Sequence, residues 1–105
     1  MTDRLAKLLE MLQRTPNDTF LLYGAGMEYK KLRQFGRAIG HFRAAIQVDP
    51  GYCYAYYQIG QTLELAGDAP GARQAYQEGI AAAERCGDAH ALGEIAAALE
   101  TMDDA

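Results

Sequence analysis

Two histidines, His41 and His90, and two cysteines, Cys53 and Cys86, are the side chains of this 105-residue chain best suited to hold a metal, move a proton or supply a thiolate. Neither pair is spaced for that work. The histidines lie far apart with no HExxH and no Cys/His cluster, so no metal site and no cofactor is expected. On helices they read as solvated side chains. Two cysteines are too few for a disulfide framework. Cys53 opens one segment and Cys86 closes its hairpin neighbour, which places them at one end, and a reducing compartment keeps both as thiols. No GxxxxGK[ST] or GxSxG occurs, and Gly24-Ala25-Gly26 lacks the strand–loop–helix setting of a dinucleotide loop. No acid–base pair or nucleophile–base arrangement can be assembled, so no catalytic residue is assigned and the chain is not expected to be an enzyme.

Charge narrows the partners. The net charge of -4 argues against nucleic acid. Lys30, Lys31, Arg33, Arg37 and Arg43 make up half of the 10 basic residues, and they read as a solvated helix–turn–helix corner rather than an anion site. The halves differ: residues 1–52 hold eight Lys/Arg against five Asp/Glu (+3), and residues 53–105 hold two against nine (-7). The longest uncharged stretch, Pro50 to Leu63, is too short and too polar to span a bilayer, so no membrane contact is expected. Met1-Thr2-Asp3-Arg4 leads into a charged amphipathic segment rather than an apolar signal core, and a cytoplasmic setting follows.

What remains is recognition, and the elements that carry it repeat. An offset of 34 residues aligns Tyr23 with Tyr57, Gly26 with Gly60, Ala38 with Ala72 and Ile46 with Ile80. The same shift pairs Phe42 with Tyr76, Ala45 with Gly79 and Pro16 with Pro50. Glycine inside a helix costs about 1 kcal/mol relative to alanine, so Gly26 and Gly60 imply a close helix approach that compensates. Ala38, Ala45, Ala72 and Gly79 supply the facing small positions, and Phe42 and Tyr76 the large side chains between them. This is an antiparallel helix hairpin, repeated. Punctuation agrees: Asn17-Asp18, Asp68 with Pro70 behind it, and Gly87-Asp88 mark helix ends and starts. The leading stripe of Leu5, Leu8, Leu9 and Leu12 adds a further helix, for six in all. Tyr52, Tyr54 and Tyr56 alternate as a half-buried strand would, but the register of the repeat outweighs that short run.

The order Leu22-x-x-Ala25-Gly26-x-x-Tyr29, Ala38-x-x-x-Phe42-x-x-Ala45, Pro50, and its second copy Tyr56-x-x-Ile59-Gly60-x-x-Leu63, Ala72-x-x-x-Tyr76-x-x-Gly79, resembles the tetratricopeptide repeat. Leu22 stands at the first aromatic position and Glu84 replaces the second closing proline. The resemblance implies an all-α, right-handed superhelix of antiparallel helix pairs. It divides the single domain 1–105 into a leading half repeat 1–18, complete repeats 19–52 and 53–86, and a C-terminal half repeat or capping helix 87–102.

In each unit a second row of side chains falls off the packing stripe: Phe20, Tyr23, Met27 and Lys30, then Tyr54, Tyr57, Gln61 and Glu64. The competing reading makes these rows additional core. Tyrosine, a rigid ring with a polar tip, suits a wet recognition surface better. The resemblance implies that the rows line the concave face, where partners bind. The expected function is therefore non-catalytic protein–protein interaction, with a peptide or helix of an unidentified partner laid in an aromatic-lined groove. The Lys/Asn/Arg set that grips a carboxylate terminus in many such groups is missing, since Tyr23 and Met27 stand where charge is wanted and Asn17 lies in a loop. The alternative is a structural oligomerisation or assembly unit whose half repeats complete one another. Apolar arcs on the first helix (Leu5 to Leu12, with Met11) and the last (Leu92, Ile95, Leu99, Met102) favour weak homodimerisation.

Overall fold

Helix ends are set by side chains that satisfy backbone N–H groups otherwise left without partners. Thr2 Oγ1 accepts from the Leu5 amide at 3.0 Å, Asp18 Oδ1 from Leu21 at 3.1 Å, Asp68 Oδ1 from Gly71 at 2.9 Å and Asp88 Oδ1 from Ala91 at 3.0 Å. The computed structural model describes residues 2–103; Met1, which opens the leading segment, and Asp104-Ala105 lie outside them. Six helices result: α1 (Asp3–Arg14), α2 (Thr19–Lys31), α3 (Phe35–Val48), α4 (Cys53–Leu65), α5 (Ala69–Cys86) and α6 (Ala89–Asp103). There is no strand among the described residues, and Tyr54 and Tyr56 lie inside α4. Gly87 ends α5 with φ of 69°, a left-handed turn that glycine adopts without steric cost, and Asp88 at once starts α6.

The helices pack as neighbours in chain order, α2 with α3 and α4 with α5 most extensively. Beyond that order, α2 touches α4 and α4 touches α6, while among the described residues the backbones of α1, α3 and α5 stay apart and α3 reaches α5 through Arg43 and Glu78. The stack therefore bends, with α2, α4 and α6 on its inner side. It measures 40 × 29 × 17 Å.

The repeated glycines explain the hairpin contacts. A Cβ on Gly26 would lie 2.5 Å from Phe42 Cε1, and one on Gly60 would collide in the same way with the Tyr76 ring. Glycine brings each inner helix down onto the aromatic ring of its partner. Gly79 performs the reverse service, since a Cβ there would come 2.8 Å from Tyr56 Cβ and 3.2 Å from Ile95 Cδ1. Phe42, Tyr76, Ala38, Ala45 and Ala72 are completely buried. Two contiguous clusters result, one centred on Phe42 and one on Tyr76.

Ala72 and Ala81 make a matched pair on α5, the first buried and the second exposed. Ala72→Leu overpacks the α4–α5 contact and is expected to cost about 1–3 kcal/mol, whereas Ala81→Leu stays within about 0.5 kcal/mol of the parent. Urea denaturation of the two variants checks this. Equal midpoints contradict the packing register.

Candidate protein-binding surface

α2 and α4 present their second rows side by side on the inner face. Lys30, in the last turn of α2, reaches across to α4 and donates from Nζ to Gln58 Oε1 at 2.8 Å and to Gln61 Oε1 at 2.9 Å. Gln61 Nε2 donates in turn to the Tyr57 hydroxyl at 2.9 Å. The chain of groups Lys30–Gln61–Tyr57 joins residues predicted from sequence to share one face. Lys30 makes no ion pair among the described residues. Burial pushes its ammonium pKa down, which means the fold disfavours the charge it carries. An open cleft of about 370 Å³ lies beside it, lined by Lys30, Gln61, Glu64 and Leu65. Lys30 and Glu64 are repeat-equivalent, and they bring opposite charge to that one cleft.

A second depression, of about 450 Å³, runs along α1 and α2 and holds Phe20, Tyr23 and Met27 with Arg4, Glu28 and Lys31. Phe20 is 70% exposed, the most open large apolar side chain among the described residues. Tyr23 and Met27 are half-buried and Glu64 is exposed, as are the flanks of Tyr54 and Tyr57 in part.

Tyr23 belongs to core and surface together. Its ring packs at 5.6 Å on Phe42 and edge-on at 5.2 Å on Tyr52. Burial lifts its pKa, while Gln58 beside the hydroxyl pulls the other way. Tyr57 packs at 6.2 Å on Tyr76, and Tyr54 faces His90 of α6 at 6.3 Å. Tyr76 sends its hydroxyl out of the core to Glu64, and burial followed by that carboxylate raises its pKa far above the usual phenol value. The tyrosines of the inner face thus rest directly on the hydrophobic core.

Sequence reasoning missed two buried polar groups here. Gln58 is the acceptor that holds Lys30 inward, and Glu28 is 6% exposed between Arg4 of α1 at 3.4 Å and Lys31 at 3.1 Å. The basic corner disperses: Arg33 covers Phe35, Arg37 lies over Tyr29, and Arg43 faces Glu78. His41 departs from the solvated expectation. It is half-buried, because its ring finds an aromatic neighbour in Tyr29 at 5.1 Å and its Nδ1 a backbone partner one turn back, the Arg37 carbonyl oxygen at 2.9 Å. His90 is exposed and meets Glu94 at 3.1 Å. No helix among the described residues is long and apolar enough to cross a membrane.

A curated TPR repeat-containing protein of Pseudomonas aeruginosa is 33% identical over 98 residues, covering 93% of each chain. The chain belongs to the tetratricopeptide repeat family. A protein of Bordetella parapertussis, known from a solution structure, superposes with a TM-score of 0.84 at 35% identity and covers 99% of this chain and 90% of that one. A TPR domain protein of Salinibacter ruber superposes with a TM-score of 0.73 at 28% identity, over 83% of this chain and 97% of its own. No family model matches the sequence. The TPR fold in general mediates protein–protein interaction, and TPR proteins are in general interaction modules rather than catalysts.

Proposed function

We propose that this TPR protein binds an extended peptide or a short helix of a partner protein along the inner face of α2 and α4, in the cytoplasm and without catalysis. In this reading α2–α3 and α4–α5 are the complete repeats, while α1 and α6 are flanking half repeats. The observation that carries it is Lys30. A fold gains nothing in stability from half-burying an ammonium without a carboxylate partner. Held between two glutamine oxygens, it retains donor capacity toward the cleft. Tyr23, Met27 and Phe20 on one side and Tyr54 and Tyr57 on the other supply apolar seats for alternate side chains of the ligand. The expected ligand pairs aromatic or large aliphatic residues with a hydrogen-bond acceptor opposite Lys30. Panning a random peptide library on the immobilised protein tests this: enrichment of such a pattern supports it, and absence of enrichment contradicts it.

A second reading, assembly through the end helices, rests on α6. Only Ala91 and Ile95 are buried there, and Leu92, Ala98, Leu99 and Met102 are half covered by α5. At the other end α2 already covers Leu5, Leu8 and Leu12, so little beyond the 45% exposed Met11 remains for a partner. This reading expects weak dimers that survive high salt, because apolar burial is not screened. Sedimentation velocity over a concentration series checks it, and a strict monomer throughout removes it.

A further inference from the structure

The corner where α4 begins and α5 ends brings both cysteines to one residue. Cys53, the first residue of α4, is 3% exposed and its thiol donates to the Gly51 carbonyl oxygen at 3.3 Å. Cys86, the last residue of α5, is exposed, and its Sγ lies where it would come 3.1 Å from a Cβ on Gly51. Glycine at this position leaves the space that the second sulfur occupies. Asp49 Oδ1 accepts from the Gly51 amide at 3.1 Å and fixes the turn that carries it. Both sulfurs therefore flank a single rigid residue, one from below and one from solvent. Burial raises the Cys53 thiol pKa, and the neighbouring Cys86 thiol and Asp88 raise it further.

We propose that Cys53 and Cys86 form a thiol pair that hydrogen peroxide converts to an intramolecular disulfide across the α4–α5 corner. Exposure assigns the order of events. The Cys86 thiolate attacks one peroxide oxygen; the S–O bond forms, the O–O bond breaks, and hydroxide leaves. The Cys53 thiolate then attacks the Cys86 sulfenic sulfur; the S–S bond forms and a second hydroxide leaves. With the two thiol protons the balance is two thiols and one peroxide giving one disulfide and two waters. The sulfurs lose the two electrons that the peroxide gains.

Placement gives the bond a consequence. Gly87 and Asp88 follow Cys86 directly and launch α6, whose His90 ring faces Tyr54 at the edge of the groove. A disulfide pins that launch point to the start of α4. It also closes a loop through the whole α4–α5 hairpin, which restricts the unfolded chain and raises Tm.

The reduced protein is treated with hydrogen peroxide, quenched, unfolded and alkylated. The expected product is a monomer lighter by ~2 Da, the two hydrogens lost, in which neither thiol alkylates. A non-reducing tryptic map then joins the peptide 44–73 to the peptide 86–105, dithiothreitol separates them, and the oxidised form melts at higher temperature. Cys53→Ser is expected to leave Cys86 as oxygen adducts or as an intermolecular dimer. Overturning results from the unsubstituted protein are oxygen adducts on Cys86 with Cys53 still alkylatable, Cys86–Cys86 dimers, or no loss of thiols.

Discussion

Tyr76→Ala is expected to remove about 3–5 kcal/mol of stability, a large share of what holds a small domain folded. The ring is completely buried, faces the bare backbone of Gly60, packs against Tyr57 and sends its hydroxyl to Glu64. Deleting it opens a cavity in the middle of the α4–α5 hairpin, and Gly60 has no side chain with which to fill it. Tyr76→Phe keeps the ring and loses only the hydrogen bond, at a cost of about 1 kcal/mol. Gly60→Ala on its own gains helix propensity of up to about 1 kcal/mol but forces the ring aside at a cost of about 1–3 kcal/mol. In the double variant Gly60→Ala/Tyr76→Ala the new methyl no longer meets the ring, so the combined loss falls short of the sum. Urea denaturation of the four proteins measures this coupling. Strict additivity contradicts the glycine–ring contact that defines both repeats.

The second large effect concerns recognition. Against a peptide selected from the library, Lys30→Met is expected to weaken binding by a factor of about 10 or more, about 1.4 kcal/mol. Stability changes little, because two effects oppose: the disfavoured charge is removed, and buried Gln58 Oε1 loses its partner. Burial lowers the Lys30 pKa, so at pH below that value the folded protein carries a charge it disfavours, and removing the charge relieves that cost. An apolar side chain of similar length keeps the packing of the lysine stem. Loss of binding with a Tm close to the parent's separates a recognition residue from a structural one. Tyr23→Ala with Tyr57→Ala abolishes capture as well, but it also strips packing from Phe42 and Tyr76 and lowers Tm. Isothermal titration and differential scanning calorimetry measure both quantities. A Lys30→Met variant that binds as the parent does, or that unfolds, contradicts the assignment.

The fold was legible because its determinants are local or periodic. Asp18, Asp68 and Asp88 cap helices through amides three residues away, which spacing alone discloses. Gly26 and Gly60 announce a close helix approach at a fixed offset, but which residue meets them is not periodic: small side chains were expected opposite, and the Phe42 and Tyr76 rings lie there instead. Glu28 and Gln58 were not legible for the opposite reason. A polar side chain on a helix tolerates burial only if partners arrive from elsewhere, and these come from Arg4 on α1 and from Lys30, which is 28 residues away from Gln58. A repeat register aligns equivalent residues; it does not say which residues of adjacent repeats touch. The approach of Lys30 to Gln61 depends on how far α2 leans toward α4, a property of the bend rather than of either helix.

The inner face is tested most directly by amide chemical-shift mapping of the isotopically labelled protein with the library-selected peptide. The account predicts that the largest shifts fall on α2 and α4 around Tyr23, Met27, Lys30, Tyr57 and Gln61. It predicts small shifts on the outer depression formed by Gly40, Arg43, Ala44 and Gln47 of α3. Shifts concentrated on that outer surface, with the Lys30–Gln61 region silent, would contradict it.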